Sequence, residues 1–92
     1  MRYILTKSAE EDLKSIAPYG LEKYGIKQAY LYKDRLKKQV EILADNPFLY
    51  RQRLELSPPV RICSCGVHII IYVIKDEYIL IVRIRHARED WQ

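Results

Sequence analysis

Apolar positions along this chain change their spacing once. Up to Asn46 they recur every three or four residues, and beyond Pro47 every second residue. The first spacing is that of a helix with one buried stripe, and the second that of a pleated strand. Before the helical region, residues 2–5, "RYIL", read as a first strand. "TKSAEEDLKSI" follows. Thr6 or Ser8 can cap a helix there, Glu10, Glu11 and Asp12 place negative charge at its positive end, and Ala9, Leu13, Ile16 and Ala17 form the apolar stripe. Pro18 and Gly20 predict a kink or break near Ala17, with "YGLEKYG" continuing as a further turn that Gly25 stops. A second helix runs from Ile26 to Asn46-Pro47, with Ile26, Ala29, Tyr32 or Lys33, Leu36, Val40 and Leu43 on one side and charged residues on the other. So short a connection predicts an antiparallel helical hairpin.

After Pro47, "FLYRQRLELSPP" reads as a loop with one short extended piece, punctuated by Pro58-Pro59. "VRICSC", "VHIIIYVI" and "YILIVRIR" read as three strands, divided at Gly66 and at Lys75-Asp76-Glu77. The order strand, helix, helix, strand, strand, strand over residues 1–92 predicts one α+β domain, with a helical hairpin on a mostly antiparallel sheet. Both long strands are apolar on both faces, whereas a helical hairpin covers one face only. A partner is therefore expected over the other face or the hairpin groove.

Charge adds little to this picture. The net charge is +4, from 16 basic and 12 acidic side chains, and it is spread along the chain, so any basic patch must be made by folding. No apolar run approaches the length of a membrane span. The start of the chain turns acidic before any export-type apolar stretch, which predicts the cytoplasm. Cys63-Ser64-Cys65 puts both thiols on one strand face, a poor geometry for a bridge, and only His68 stands near as a further metal ligand. The expectation is buried, reduced thiols, no metal and no cofactor.

The chemistry-bearing residues gather at the end of the chain. On "YILIVRIR", Ile79, Ile81, Arg83 and Arg85 share one parity, so that face turns from apolar to basic. Pairing through the Lys75–Glu77 turn would bring Arg83 and Arg85 level with His68 and Ile70, with Arg61 joining from the strand before. Arginine forks bind phosphate or carboxylate, and histidine exchanges protons near neutrality, which is what ribonucleolytic cleavage would use. The plainer reading pairs Arg83 and Arg88 with Asp90 or Glu89 and uses His86 to close a strand end. His68, on a largely apolar strand, and Tyr72 beside it read as structural or site-edge residues.

Several stretches together resemble the ParE/RelE superfamily of toxins from bacterial toxin–antitoxin pairs, and its ParE branch in particular. "LTKSAEEDLKSI" is similar to the family's first-helix signature and "YGIKQAYLYKDRLKKQVEILADNP" to its second. "GVHIIIYVI" resembles its Gly-x-His…Tyr strand, and "ILIVRIRHAREDW" its closing Arg-x-x-His-x-Arg-x-Asp-Trp. The resemblance covers nearly the whole chain. It implies a β-α-α-β-β-β fold with a twisted sheet, a cognate protein antitoxin, and DNA contact only through that antitoxin. ParE members inhibit DNA gyrase, whereas RelE members cut mRNA on the ribosome, and one scaffold serves both. Ribonuclease members usually carry a dense set of charged side chains on the sheet, where this chain has Ile69, Ile70 and Ile71. The expectation is therefore a gyrase-inhibiting toxin without a catalytic residue, whose Arg83, His86, Arg88, Asp90 and Trp91 form a target-recognition patch. In the alternative ribonuclease, His86 would be the acid or base and Arg61, Arg83 and Arg88 the phosphate ligands. The third possibility is a non-toxic module that only binds the antitoxin.

Overall fold

Thr6 ends the first strand and begins the first helix, and the fold is organised around that junction. In the computed structural model, its side chain accepts the Ala9 N–H at 3.0 Å, capping the helix. Its hydroxyl also donates to the Val82 carbonyl at 2.7 Å, and its own N–H donates to the Ile81 carbonyl at 3.0 Å. The structure describes residues 1–88, with backbone alone for 17–24. The elements are β1 (Arg2–Leu5), α1 (Lys7–Tyr24), α2 (Ile26–Asp45), β2 (Gln52–Arg53), β3 (Val60–Cys65), β4 (His68–Ile74) and β5 (Tyr78–His86).

Strands β2 to β5 form an antiparallel meander, and β1 adds to β5 in parallel, giving the sheet order β1-β5-β4-β3-β2. Parallel neighbours need a crossover, which the two helices supply by lying across one face. The main core lies between: Ala9, Leu13 and Ile16 of α1 and Leu36, Val40 and Leu43 of α2 pack on Cys63, Ile70, Tyr72, Ile79, Ile81 and Ile84.

Four sequence expectations are corrected. Helix α1 does not break near Ala17 but runs from Lys7 to Tyr24. Pro18 removes one helical hydrogen bond at about 3 kcal/mol, and a helix docked by Ala9, Leu13 and Ile16 withstands that where an isolated one would not. Gly25 does stop it, with φ at +88°, and α2 begins at the next residue. On α2 the stripe uses Tyr32 rather than Lys33, while Ile26 stands exposed at the helix start.

The parity of β5 is also broken. The pairing steps from Ile71↔Arg83 to Tyr72↔Ile81, so Val82 is one residue extra. This β-bulge moves the helix-facing series from Ile79 and Ile81 to Ile84, and Arg83 and Arg85 do not continue it. Finally, the second face of the sheet needs no partner to bury its centre. Ile62, Ile69 and Ile71 are 5–7% exposed and form their own cluster with Leu56, Val60 and Val82, because the loop after β2 folds back over them.

Both cysteines face the main core as free thiols. Burial pushes both thiols up from their ordinary range, so the reactive thiolate is scarce at neutral pH. A thiol reagent such as DTNB is expected to label neither within minutes in buffer and both in denaturant. Purified protein should carry no stoichiometric zinc, and a metal-to-protein ratio near one would overturn the reading of these residues as packing.

A candidate recognition site at the end of the sheet

Beyond Leu5, which pairs with Ile81, β5 loses its neighbour on the β1 side. Side chains replace the missing strand. Thr6 takes the Val82 carbonyl, and the Asp12 carboxylate accepts the Ile84 N–H at 3.0 Å. The same carboxylate receives a two-pronged bond from Arg83, Nε at 2.7 Å and a terminal nitrogen at 2.9 Å. Burial alone would raise the Asp12 carboxyl. The Arg83 fork, the Ile84 N–H and the charges of Arg83 and Arg85 outweigh it and hold the group below its ordinary value. The partner shown for Arg83 is thus Asp12 on α1. Asp90, offered for it by the plainer sequence reading, lies outside the described residues, as do Glu89 and Trp91.

His86 ends β5 opposite His68, and their rings meet edge to face with centroids 5.5 Å apart. The Arg88 N–H donates to His86 Nδ1 at 3.1 Å, so a neutral His86 carries its proton on Nε2. On the other side of His68, the Tyr32 hydroxyl lies 2.6 Å from Nδ1. That hydroxyl also accepts the Val67 N–H at 3.1 Å and lies 3.2 Å from the Cys65 carbonyl. Tyr32 has one proton, so all three bonds form together only if it donates to Cys65 and His68 donates from Nδ1. Burial raises the Tyr32 phenol, which keeps that proton in place at neutral pH. Gly66, with φ at +61°, lets the β3–β4 turn close over this ring: a Cβ there would lie 2.6 Å from the Tyr32 ring.

Arg61 stands elsewhere. It pairs in register with Tyr72, whereas Cys65, four residues along β3, pairs with His68. Its guanidinium donates to the Tyr50 carbonyl at 2.6 Å and lies 5.1 Å from the Phe48 ring centroid. Tyr72 is fully buried, with its hydroxyl donating to the Pro47 carbonyl at 2.9 Å. The structure therefore brings His86, His68 and the Arg88 backbone together, and sets Arg83 to one side and Arg61 well apart. Sequence reasoning missed Asp12 and the Tyr32 hydroxyl as members of this region. Asp12 reads locally as one of three acids at a helix start, and Tyr32 as one of two candidates for an apolar stripe.

Among the described residues, no cluster of three or more His, Cys, Asp or Glu could hold a metal ion, and no helix is long and apolar enough to cross a membrane. The family model described as "ParE toxin of type II toxin-antitoxin system, parDE" matches residues 3–91. Toxin ParE of Escherichia coli is 33% identical over 89 residues, covering 96% of this chain and 86% of that protein. Toxin ParE1 of Mycobacterium tuberculosis strain H37Rv is 31% identical over 90 residues, covering 97% and 92%. A solved structure titled "Chromosomal ParDE TA system from P. aeruginosa" superposes with a TM-score of 0.79 at 24% identity, covering 94% of this chain and 95% of that one, which supports the same fold. The chain belongs to the ParE toxin family of type II toxin–antitoxin systems.

Proposed function

We propose that this protein is a cytoplasmic toxin that inhibits DNA gyrase by docking on it, is not itself a hydrolase, and is neutralised by a cognate antitoxin through which alone it contacts DNA. The observation that carries the docking reading is the Arg83–Asp12 fork. An arginine serving phosphate in catalysis must present its guanidinium to substrate, and this one is spent on its own fold. Arg61, the other phosphate ligand of the ribonuclease alternative, stands four residues along β3 from the row of His68 and His86. His86, Arg88, Asp90 and Trp91 are then read as recognition surface, Arg83 as its support, and His68 and Tyr72 as structure.

For the antitoxin, the reading follows the exposed apolar surface rather than the sheet's second face. Tyr3 and Ile4 are exposed on the edge strand β1, as is Met1 before it, beside a small, mostly apolar cleft of about 50 Å³ lined by Tyr3, Leu5, Leu13, Leu36, Val40 and Ile84 with Lys37. An edge strand next to an apolar cleft suits an added strand or an amphipathic helix.

Two assays run in parallel test the activity. Purified toxin is expected to block gyrase supercoiling and to leave ribosome-bound mRNA intact. His86→Gln should keep full potency, while Arg88→Ala should weaken gyrase binding, since arginines at interface centres often contribute about 2 kcal/mol. Cleavage of mRNA that falls by about 10²–10⁴ in His86→Gln, with supercoiling untouched, would establish the ribonuclease instead.

A further inference from the structure

Tyr32 belongs to α2, but its hydroxyl is spent on the turn between β3 and β4, on the Cys65 carbonyl, the Val67 N–H and His68 Nδ1. A phenol has one proton and two lone pairs, so these three bonds use all of them. From that turn two routes lead to the residues that follow β5. The first is backbone. Tyr32 holds the Val67 N–H, and the Val67 carbonyl accepts the Ala87 N–H at 2.9 Å. The second runs through rings. The centroids of Tyr32 and His68 are 5.4 Å apart and those of His68 and His86 5.5 Å, and His86 Nδ1 accepts the Arg88 N–H at 3.1 Å. The two routes end on adjacent amides, where the chain leaves the sheet. Strand β1 gives no pairing there, since its register with β5 ends at Leu5↔Ile81. Terminal segments fray unless something ties them down, and these bonds tie this one.

We infer that Tyr32 is a positioning residue of the recognition site: its hydroxyl, acting through Val67 and His68, fixes the backbone from which Arg88 meets the target. This rests on the reading of Arg88 as a docking residue, and adds to it a residue from the helix layer. Each residue of the turn has a part in the connection. Gly66 lets the turn close on the Tyr32 ring, Val67 joins the hydroxyl to Ala87 by its backbone, and His68 carries the contact to His86. Packing against the core requires the ring of Tyr32 and not its hydroxyl, so a phenylalanine would fill the same stripe beside Leu36. The hydroxyl is the part whose bonds continue to the tail. Energetic coupling over such a path needs a contiguous chain of bonds and packed rings, and this one has no gap.

The test uses the full chain with Tyr32→Phe, which keeps the ring and removes the hydroxyl, alone and combined with Arg88→Ala. Amide hydrogen exchange, gyrase affinity and affinity for the purified cognate antitoxin are measured below the melting temperature of every variant. In Tyr32→Phe the Ala87 amide is expected to exchange at least about tenfold faster. That factor should exceed the one for Leu43, which is fully buried and gauges overall stability. Gyrase affinity should fall about fivefold in Tyr32→Phe, but by less than about twofold when the change is added to Arg88→Ala. A residue that acts through Arg88 has nothing to act on once that side chain is gone. Antitoxin affinity should stay within about twofold, since a general loosening of the fold would weaken both partners. Ala87 exchange that rises no more than that of Leu43, equal losses of gyrase affinity with and without Arg88, or an antitoxin loss as large as the gyrase loss would each overturn the inference. If the wild-type chain does not bind gyrase, the docking reading falls by itself and the exchange comparison decides: selective acceleration at Ala87 sustains Tyr32 as the residue that positions this end of the chain, and its absence overturns it.

Discussion

Asp12→Ala is expected to lower the melting temperature by roughly 10–20 °C, as about 2–3 kcal/mol lost from a domain this small would. The Asp12 carboxylate answers two groups at once, the Arg83 guanidinium and the Ile84 N–H, and removing it takes a charged acceptor from both. The pair is only partly withdrawn from water, with side-chain exposures of 36% for Arg83 and 16% for Asp12. The expected loss therefore lies below the 3–5 kcal/mol typical of breaking a fully buried pair. Asp12→Asn keeps an oxygen for the Ile84 N–H and should fall between wild type and alanine. The pH dependence has a definite sign. The folded pKa lies below the ordinary 3.8, so the contribution is complete above that value and is lost as pH falls through the lowered folded pKa. Wild type should thus lose stability on acidification faster than Asp12→Asn, and the Ile84 amide should exchange faster in both variants. An alanine variant that melts within about 2 °C of wild type would remove Asp12 as the clasp of this edge.

That clasp also shows where reading the sequence stops. The helical stripe at Leu36, Val40 and Leu43 and the β-branched apolar runs of β3 and β4, bounded by Pro59, Gly66 and Lys75, are local patterns, and those elements stand where the patterns put them. The bulge at Val82 has no such pattern. It falls where β1 ends at Leu5 and the chain turns into α1, so that Thr6 and Asp12 meet β5 in place of a strand. Nothing within "YILIVRIR" reports that distant event, and strict alternation there led to a basic face that the fold does not build. Pro18 errs in the other direction: its local cost is genuine, and packing by residues on the preceding turns overrides it. The family resemblance supplied what neither pattern could, because toxin identity lies in several short motifs in order along the chain. The role of the β5 end does not follow from that resemblance, since one scaffold serves both gyrase inhibition and mRNA cleavage.

Gly66→Ala should cost on the order of 3 kcal/mol, a fall of roughly 12–24 °C in melting temperature. Two effects add. The left-handed φ of +61° penalises any side chain, and a Cβ would sit 2.6 Å from Tyr32 Cε1 and 2.7 Å from its hydroxyl oxygen. The ring must move, and the bonds to the Val67 N–H, the Cys65 carbonyl and His68 move with it. A double-mutant cycle separates these contributions. Tyr32→Leu alone removes the hydroxyl network and should destabilise through the polar groups left behind. Combined with Gly66→Ala it relieves the clash, so the double variant should be more stable than the sum of the singles by about 1 kcal/mol or more. Strict additivity would mean that backbone strain alone explains the glycine. The imidazole reports the same network independently: in wild type the His68 ¹⁵N signals should show the Nδ1–H tautomer, the one form that lets Tyr32 make all three bonds, and Tyr32→Leu should abolish that preference. If His68 is Nε2–H in wild type, Tyr32 must donate to it instead, the Cys65 carbonyl loses the Tyr32 donor, and of the turn's backbone groups only the Val67 N–H stays bonded to that hydroxyl.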